Sequence, residues 1–183
     1  MELFNILCRG REFRARLESN RRRLYRMAYA WCHDAHLADD LVQEAIINAL
    51  RHGSKLRDFE ALDGWLFTIL ANCWKSHLRS RKVGEEFDEE NFHSSELDPE
   101  QITARDQTVA RVQQAIAKLP VGQRQVVTLV DLEGFSYAEV AAILEVPIGT
   151  VMSRLCRARQ ALRDLLAGSD SAAGRSVRLV RVK

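Results

Sequence analysis

The sequence predicts an all-α protein with two small helical domains joined by a flexible acidic linker, the C-terminal domain being a helix-turn-helix. Three observations lead to this prediction. Apolar residues recur at helical spacing before residue 83 and again after residue 104. The stretch between them is acidic and has neither helical nor strand periodicity. Near the C-terminal end, a short break separates two helical patterns at helix-turn-helix spacing.

Length and composition bound the domain organisation. The chain has 183 residues, enough for one medium domain or two small ones. We expect domains at residues 1–82 and 105–167, a linker at 83–104 and a basic tail at 168–183. No apolar run approaches the roughly 20 residues that span a bilayer, and the arginine-rich start lacks the apolar core of a signal peptide. We therefore expect a cytoplasmic protein.

The four cysteines are scattered along the chain at Cys8, Cys32, Cys73 and Cys156. Because no CxxC pair occurs, neither a disulfide framework nor a zinc ribbon is indicated. The one cluster of ligand-type residues is Cys32, His33 and His36, and such side chains near a helix end are more often satisfied or solvent-facing than metal-bound. We expect no metal and no cofactor.

The first clear amphipathic helix is predicted over residues 37–51. One broad face is apolar and carries Leu41, Val42, Ala45, Ile46, Ala49 and Leu50. The opposite face carries Asp40, Gln43, Glu44 and Arg51, with Ile47 among them. An acidic face that holds one apolar residue suits docking to a basic partner helix. The alternative is an ordinary solvated face, which is the better interpretation of this helix taken alone.

A second helix is predicted over residues 64–82. One side carries Trp65, Leu66, Ile69, Leu70, Cys73 and His77, and the other carries a polar stripe of Thr68, Asn72, Lys75, Arg79 and Lys82. Such a row can follow a phosphate backbone, and Asn72 can hydrogen-bond a base edge or a sugar. Phe67 and Trp74 lie at the border, where they either stack on unpaired bases or belong to the core. The core is favoured for Phe67.

The linker holds the strongest charge asymmetry of the chain. Eight acidic residues and no Lys or Arg lie between Glu85 and Glu100. Removing those eight charges from the formal net charge of +2 leaves the rest of the chain at +10. The linker serves solubility and spacing, or alternatively it lies along a basic channel of a partner.

The C-terminal pattern predicts a helix-turn-helix. Ser136 and Glu139 form a capping box that opens a helix over residues 137–144. Residues 145–149 form a break, and Thr150 is predicted to cap a second helix over 151–166. On that helix, Val151, Leu155, Ala158 and Leu162 are expected to pack inward, while Ser153, Cys156, Arg157 and Gln160 point outward. The alternative is an arginine-rich helix that is simply solvated.

A resemblance to a known family, carried by motifs in both halves of the chain, decides between these interpretations. Residues 134–141 (Gly-Phe-Ser-Tyr-Ala-Glu-Val-Ala) and 147–159 (Pro-Ile-Gly-Thr-Val-Met-Ser-Arg-Leu-Cys-Arg-Ala-Arg), after Leu119-Pro120, closely resemble the promoter-reading domain of bacterial extracytoplasmic-function (ECF) sigma factors. Residues 39–44 (Asp-Asp-Leu-Val-Gln-Glu) resemble the polymerase-binding helix of that family. Residues 65–72 (Trp-Leu-Phe-Thr-Ile-Leu-Ala-Asn) and Leu78-Arg79 resemble its promoter-melting helix.

The resemblance implies three sets of site residues. Core polymerase is expected to contact Asp39, Asp40, Gln43, Glu44 and Ile47. The opened minus-10 strand is expected to contact Lys55, Arg57, Trp65, Asn72, Lys75, Arg79 and Lys82, with the loop at residues 53–63 holding a flipped base. The minus-35 duplex is expected to contact Thr150, Met152, Ser153, Arg154, Cys156, Arg157, Arg159 and Gln160.

Within the last set, the residues have different expected roles. Arg157 is the best candidate for a base contact, since arginine pairs bidentately with guanine. Met152 stands where the family often has a basic residue, so a contact is either missing or replaced by an apolar touch on a thymine methyl group. Arg154 and Arg159 suit phosphates or packing by their stems.

The resulting expectation is a non-enzymatic specificity subunit that binds core RNA polymerase, reads duplex minus-35 DNA and melts minus-10 DNA. An anti-sigma factor is an expected further partner, and no membrane insertion is expected. No P-loop, GxSxG or HExxH motif points to catalysis. The main alternative is a free-standing helix-turn-helix transcription regulator, and a helical RNA-binding or adaptor protein is a third.

Overall fold

The computed structural model describes residues 2–53, 56, 58–82 and 104–170, with side chains for residues 10–53, 56, 58–81 and 108–167. Every regular element in these ranges is helical, which confirms the predicted all-α class. The predictions made for residues 83–103 of the linker, for Lys55 and Arg57, for the side chain of Lys82 and for the tail beyond residue 170 lie outside the described residues.

Three helices form the N-terminal half: α1 Glu2–Cys32, α2 Ala35–His52 and α3 Leu62–Lys82. The chain reverses between α1 and α2 at His33, whose φ of 54° is in the left-handed region. Asp34 then caps α2, because its carboxylate accepts a 3.0 Å hydrogen bond from the backbone N–H of Leu37. This cap starts α2 two residues before its predicted beginning.

The outward position of Leu50 corrects the predicted apolar face of α2. Leu50 is 50% exposed, whereas its neighbour Ala49 is fully buried in the last turn. Successive helical residues are about 100° apart around the axis. Leu50 therefore lies three residues after Ile47 on the outer face, and the small Ala49 takes the inward position.

The C-terminal half consists of α4 Ala104–Ala117, α5 Val121–Val127, a π-helical turn Thr128–Leu132, α6 Tyr137–Leu144 and α7 Ile148–Asp170. Pro120 precedes α5, and its carbonyl accepts hydrogen bonds from the backbone N–H groups of Gln123 and Arg124. The four predicted inward residues of α7, Val151, Leu155, Ala158 and Leu162, are all buried.

The cap of α6 is the predicted one. The backbone N–H of Ser136 donates to Glu139 Oε2 at 2.7 Å, and the N–H of Glu139 donates to Ser136 Oγ at 3.3 Å. These hydrogen bonds with Ser136 hold the pKa of Glu139 below its usual value. The helix ends at Glu145, which adopts the left-handed conformation with a φ of 56°.

The beginning of α7 differs from the prediction. Thr150 is not its cap, because the carbonyl of Pro147 accepts hydrogen bonds from the N–H groups of Thr150 and Val151. Ile148 and Gly149 therefore belong to the first turn of α7. The first turn tolerates them, since its N–H groups need no partner within the helix. The break between α6 and α7 is therefore residues 145–147 rather than 145–149.

The two halves pack directly against each other in a contact that we call the seam, formed by Trp31 and Phe67 from the first half and Arg124, Thr128 and Phe135 from the second. Trp31 Nε1 donates to Thr128 Oγ1 at 2.9 Å. The rings of Phe67 and Phe135 meet edge to face with centroids 5.1 Å apart. The seam joins the apolar interiors of both halves into one continuous core.

Candidate nucleic-acid and polymerase interfaces

The outer face of α2 carries the residues predicted to contact the polymerase. Asp39, Asp40, Gln43 and Glu44 are all exposed. Ile47 is 46% exposed and lies one turn from Leu50, so the face presents two large apolar side chains beside the carboxylates. The i, i+3 spacing of Ile47 and Leu50 is the sequence signal that reveals this pair.

The polar stripe of α3 faces the C-terminal half. Asn72, Lys75 and Arg79 are exposed, as predicted. Lys75 Nζ lies 3.0 Å from Glu145 Oε2, so an ion pair links α3 to the end of α6. Thr68 is half-buried, and its hydroxyl donates to the carbonyl of Gly64 at 2.8 Å. Because its hydroxyl is bonded within α3, Thr68 does not belong to the exposed part of the stripe.

The aromatic residues of α3 divide between core and surface. Phe67 and Trp74 are fully buried, which confirms the core interpretation of Phe67 and decides the open question for Trp74. The Trp74 ring stacks on His77 with centroids 5.8 Å apart. Trp65 is half-buried and packs against Phe13. Of the three aromatic side chains, Trp65 alone retains exposed ring surface.

A cavity of about 400 Å³ opens between α2 and α3, and the sequence did not reveal it. Its lining brings Trp65 and Asn72, two predicted minus-10 contacts, together with Asn48 and His52 from α2. His52 is the last residue of α2. Amide and imidazole groups beside an indole ring are a suitable surface for a nucleobase.

The outward face of α7 matches the prediction. Ser153, Cys156, Arg157 and Gln160 are exposed, and Met152 beside them is 53% exposed. The side chain of Arg157 lies back along its own helix, where Nε donates to the carbonyl of Ser153 at 3.3 Å. Because that bond is long and exposed, Arg157 can leave it at little cost.

Two other arginines of α7 lie against the C-terminal half itself. Arg159 forms a bidentate pair with Asp131, at 3.0 Å from Nε to Oδ2 and 2.6 Å from Nη2 to Oδ1. The pKa of Arg159 is raised, first of all by its hydrogen bond with Asp131. Arg154 lies against Gly122, where an added Cβ would come within 3.0 Å of its guanidinium carbon. The pair with Asp131 therefore fixes α7 to the rest of the C-terminal half, and the Arg154 guanidinium packs beside α5.

The two predicted DNA-binding surfaces share one groove. A cavity of about 700 Å³ lies between α3 and the C-terminal half. Asn72, Lys75 and Arg79 line one wall, and the opposite wall includes Arg154 and Arg157. The exposed side chains on the two walls therefore face each other across the groove.

Arg124 is a buried cation that sequence reasoning missed. It is 2% exposed, and its guanidinium donates to the carbonyls of Trp31 at 2.6 Å, Ala117 at 2.6 Å and Leu119 at 2.9 Å. Trp31 and Ala117 lie at the C-terminal ends of α1 and α4, where a cation is favoured. Burial lowers the pKa of Arg124 to about 10, so the side chain stays charged at neutral pH.

Neither a metal site nor a membrane-spanning helix is found in the part of the chain that the structure describes. No group of three or more His, Cys, Asp or Glu side chains in these ranges is arranged to hold a metal ion. No helix within them is both long and apolar enough to cross a membrane. Cys32 and Cys73 are buried free thiols whose pKa burial raises, and Cys156 is an exposed free thiol.

Comparisons with known proteins agree with this geometry. The family model for Sigma-70 region 2 matches residues 17–83, and the model for Sigma-70, region 4 matches residues 110–162. The ECF RNA polymerase sigma factor SigM of Mycobacterium tuberculosis is 36% identical over 145 residues, 79% of this chain and 72% of that protein. The chain belongs to the ECF sigma factor family.

Further relatives support this assignment. RNA polymerase sigma-H factor of Pseudomonas aeruginosa is 37% identical over 145 residues, 73% of this chain and 75% of that protein. The ECF sigma factor SigE of Mycolicibacterium smegmatis is 35% identical over 162 residues, 84% of this chain and 61% of that longer protein. A solved complex of the sigma factor RpoE with the anti-sigma factor NepR from Bartonella quintana has a similar fold, with a TM-score of 0.73 and 31% identity over 85% of this chain and 97% of that one.

Proposed function

We propose that this ECF sigma factor uses three helix faces: the outer face of α2 binds core RNA polymerase, the stripe of α3 grips the opened minus-10 strand, and the outer face of α7 reads the minus-35 duplex. One observation carries the proposal. The exposed polar faces of α3 and α7 lie in the two segments that match Sigma-70 regions 2 and 4. We infer that the chain has no catalytic activity of its own and works in the cytoplasm with its polymerase.

The polymerase contact on α2 combines charge with apolar surface. Asp39, Asp40 and Glu44 steer the helix toward a basic partner surface, and this attraction raises the association rate. Ile47 and Leu50 then lose exposed apolar surface in the complex. Replacing both with aspartate should abolish binding to core polymerase, whereas Val109→Asp, at a similarly exposed apolar residue on α4, should leave it unchanged.

On α3, the stripe and the neighbouring cavity divide the minus-10 contacts. Lys75 and Arg79 contact phosphates, and Asn72 hydrogen-bonds a base edge at the mouth of the 400 Å³ cavity. An unpaired base enters this cavity and stacks on Trp65. Melting needs no chemical step, because binding the exposed bases offsets the few kcal/mol of lost pairing and stacking.

On α7, Arg157 leaves its carbonyl partner and pairs with a guanine, an interaction that discriminates by about 1–3 kcal/mol. Ser153, Cys156, Met152 and Gln160 contact neighbouring base edges. Thr150, Arg154 and Arg159 hold α7 in place and approach phosphates at its margins. The pair of Arg159 with Asp131 and the position of Arg154 beside Gly122 support this secondary role.

Promoter binding requires the two halves to separate at the groove. The groove has a volume of only about 700 Å³ between α3 and the C-terminal half. The major groove of B-DNA alone is about 12 Å wide, and its phosphate walls must pass on both sides of α7. In the free chain α3 stands opposite Ser153 and Arg157 of α7, and polymerase binding provides the interaction that moves it away.

An anti-sigma factor is the second protein partner that we propose. Two solved structures similar to this chain are complexes, one of the sigma factor RpoE with the anti-sigma factor NepR and one of CnrH with the cytosolic domain of CnrY. A partner that stabilises the closed groove keeps α3 and α7 from DNA. Co-purification of the full chain with candidate inhibitors, followed by transcription assays, tests this partnership.

Reconstituted transcription tests the main proposal. Purified chain and bacterial core RNA polymerase are incubated with a promoter library, and initiation sites are mapped by sequencing. We expect initiation at sites that share a paired minus-35 and minus-10 motif. A free-standing regulator would instead bind duplex DNA without binding core polymerase, and a known sigma factor in the same assay controls for polymerase activity.

A further inference from the structure

The groove between α3 and the C-terminal half gathers positive charge from both of its walls. Lys75 and Arg79 line the α3 wall, and Arg154 and Arg157 line the α7 wall. None of the described residues that line the groove is an aspartate or a glutamate. Among the described residues, Lys75 has an ion-pair partner in Glu145, which lies outside the lining. The free chain therefore brings four cations together around one cavity.

This concentration of charge favours an anion between the two walls. Like charges that face each other across a groove repel, and the repulsion disfavours the closed arrangement of the halves. An anion between the walls is attracted to both of them. Because the walls move apart when the groove opens, the anion binds the closed form more tightly than the open form. By mass action it therefore stabilises the closed form.

The rest of the lining indicates what else this anion carries. Leu78, Val121 and Leu144 are half-buried and give the groove apolar surface. Gln123 and Gln125 add side-chain amides to the lining, and an amide both donates and accepts hydrogen bonds. A nucleobase matches such a surface, because its faces pack on apolar groups and its edges carry donors and acceptors.

The size of the groove and the shape of its cations favour a small phosphate ligand. The volume of about 700 Å³ lies within the range of small-molecule sites, roughly 300–1,000 Å³, and such sites often lie between two structural units. The guanidinium groups of Arg79, Arg154 and Arg157 can each bind two phosphate oxygens at once. The ammonium group of Lys75 adds a compact charge.

We propose that the groove is a binding site for a nucleoside polyphosphate, whose phosphates bind the cations of α3 and α7 and whose base packs on the apolar part of the lining. The regulatory consequence rests on the proposed function, in which α3 and α7 separate when the chain joins polymerase. A ligand bound to both helices holds them together. It therefore competes with assembly of the holoenzyme and makes this sigma factor responsive to a small anion as well as to proteins.

Titration calorimetry of the full chain tests binding directly. ATP is the probe, and inorganic tripolyphosphate and adenosine are its two separate parts. We expect one ATP per chain, bound about fivefold or more tightly than tripolyphosphate because the base adds packing. Adenosine alone should not bind measurably. Absence of ATP binding, or equal affinities for ATP and tripolyphosphate, would overturn the inference.

Variants on the two walls assign the site to the groove. Arg79→Gln and Arg154→Gln should each weaken ATP binding about tenfold, because each removes a charge-assisted contact. Arg163→Gln is the matched control, since Arg163 is an exposed arginine of α7 that does not line the groove, and it should bind ATP like the wild type. An equal loss in all three variants, or a loss from one wall alone, would overturn the inference.

Assembly with core polymerase separates this inference from the proposed function. ATP at ten times its dissociation constant should weaken assembly of the wild type about tenfold. At the same concentration it should weaken assembly of Arg154→Gln only about twofold, and this variant controls for ATP bound by the polymerase itself. ATP binding without an effect on assembly would overturn the inference. Failure of the chain to bind core polymerase without ATP would instead count against the proposed function.

Discussion

The seam and the outer face of α7 use arginine in opposite ways. Arg124 is buried at the seam and holds three backbone carbonyls, two of them at helix ends. Arg157 is exposed on α7 and has only long hydrogen bonds to Ser153. Arg124 therefore stabilises the fold, whereas the guanidinium of Arg157 can bind a ligand. In one half of one chain, burial and partners rather than residue type determine which role an arginine has.

The largest effect that tests this comparison is on stability. Arg124→Met should lower the free energy of unfolding by about 3 kcal/mol, because three buried carbonyls lose their donor. Urea unfolding monitored by circular dichroism measures the loss. Arg157→Met is the matched control and should change stability by less than about 0.5 kcal/mol. An equal decrease in the free energy of unfolding in both variants would contradict the structural role of Arg124 and the absence of such a role for Arg157.

The second effect is on promoter choice. Arg157→Ala should lower discrimination at one minus-35 base pair by about 1–3 kcal/mol, since the bidentate contact is lost. Holoenzyme binding to the selected duplex and to single-base variants of it measures this change. The melting temperature of the protein should not move. Unchanged preference at every position would remove Arg157 from the base contacts.

The third effect links pH to the seam through His33. Burial, and then the nearby charge of Arg124, lower the pKa of His33 to about 4. Because the unfolded side chain titrates near 6.5, the unfolded chain binds more protons between these values, and stability falls as the pH drops from 6.5 toward 4. Allowing for the partial exposure of His33, the loss between pH 7 and pH 5 is about 1–2 kcal/mol.

Unfolding experiments at several pH values test this effect. His33→Asn should flatten the stability profile between pH 7 and pH 5, since asparagine tolerates the left-handed backbone and carries no charge. His77, whose pKa burial also lowers, leaves a remaining slope of the same sign. A profile that is as steep in His33→Asn as in the wild type would exclude His33 as the cause.

The fourth effect separates fixing α7 from reading bases. Arg159→Ala breaks the bidentate pair with Asp131 and should cost about 1 kcal/mol of stability. Duplex binding should weaken equally on matched and scrambled minus-35 sites, with a smaller salt dependence if a phosphate contact is lost as well. A loss confined to the matched site would make Arg159 a base-reading residue.

The smallest effect concerns the ion pair at the groove. Glu145→Gln removes the partner of Lys75, and both side chains are about half exposed. Such pairs contribute little, so the free energy of unfolding should change by less than about 0.5 kcal/mol. A loss above 1 kcal/mol, measured by the same urea unfolding, would show that the pair is a main support of the contact between the halves.

Local patterns predicted the elements whose causes are local. The capping box of Ser136 and Glu139 fixed the start of α6, and apolar spacing identified the buried face of α7. Ile148 and Gly149 were predicted to lie in the break because they follow Pro147. The first turn of a helix accepts both residues, so α7 begins earlier than predicted. The spacing of apolar residues placed both Ala49 and Leu50 on the buried face of α2. It could not show that the small Ala49 takes the inward position and leaves Leu50 on the outside.

The features that sequence reasoning missed depend on distant residues. The role of Arg124 follows from the meeting of α1, α4 and α5, and its contact with Trp31 spans 93 positions. The cavity between α2 and α3 and the groove between α3 and α7 likewise need residues far apart in the chain. The spacing of apolar residues does not show which distant segments of the chain meet. Only the tertiary structure reveals these features.

Transcription by reconstituted holoenzyme, with two matched variants, tests the central claim most directly. Core polymerase is combined with the wild type, with Arg79→Ala or with Arg157→Ala. Each holoenzyme is assayed on the selected promoter, on a version of that promoter pre-melted at minus-10, and on minus-35 variants. We predict that pre-melting rescues Arg79→Ala and not Arg157→Ala, while minus-35 preference changes only in Arg157→Ala. The same defect in both variants on every template, or no initiation where a known sigma factor succeeds, would contradict the account.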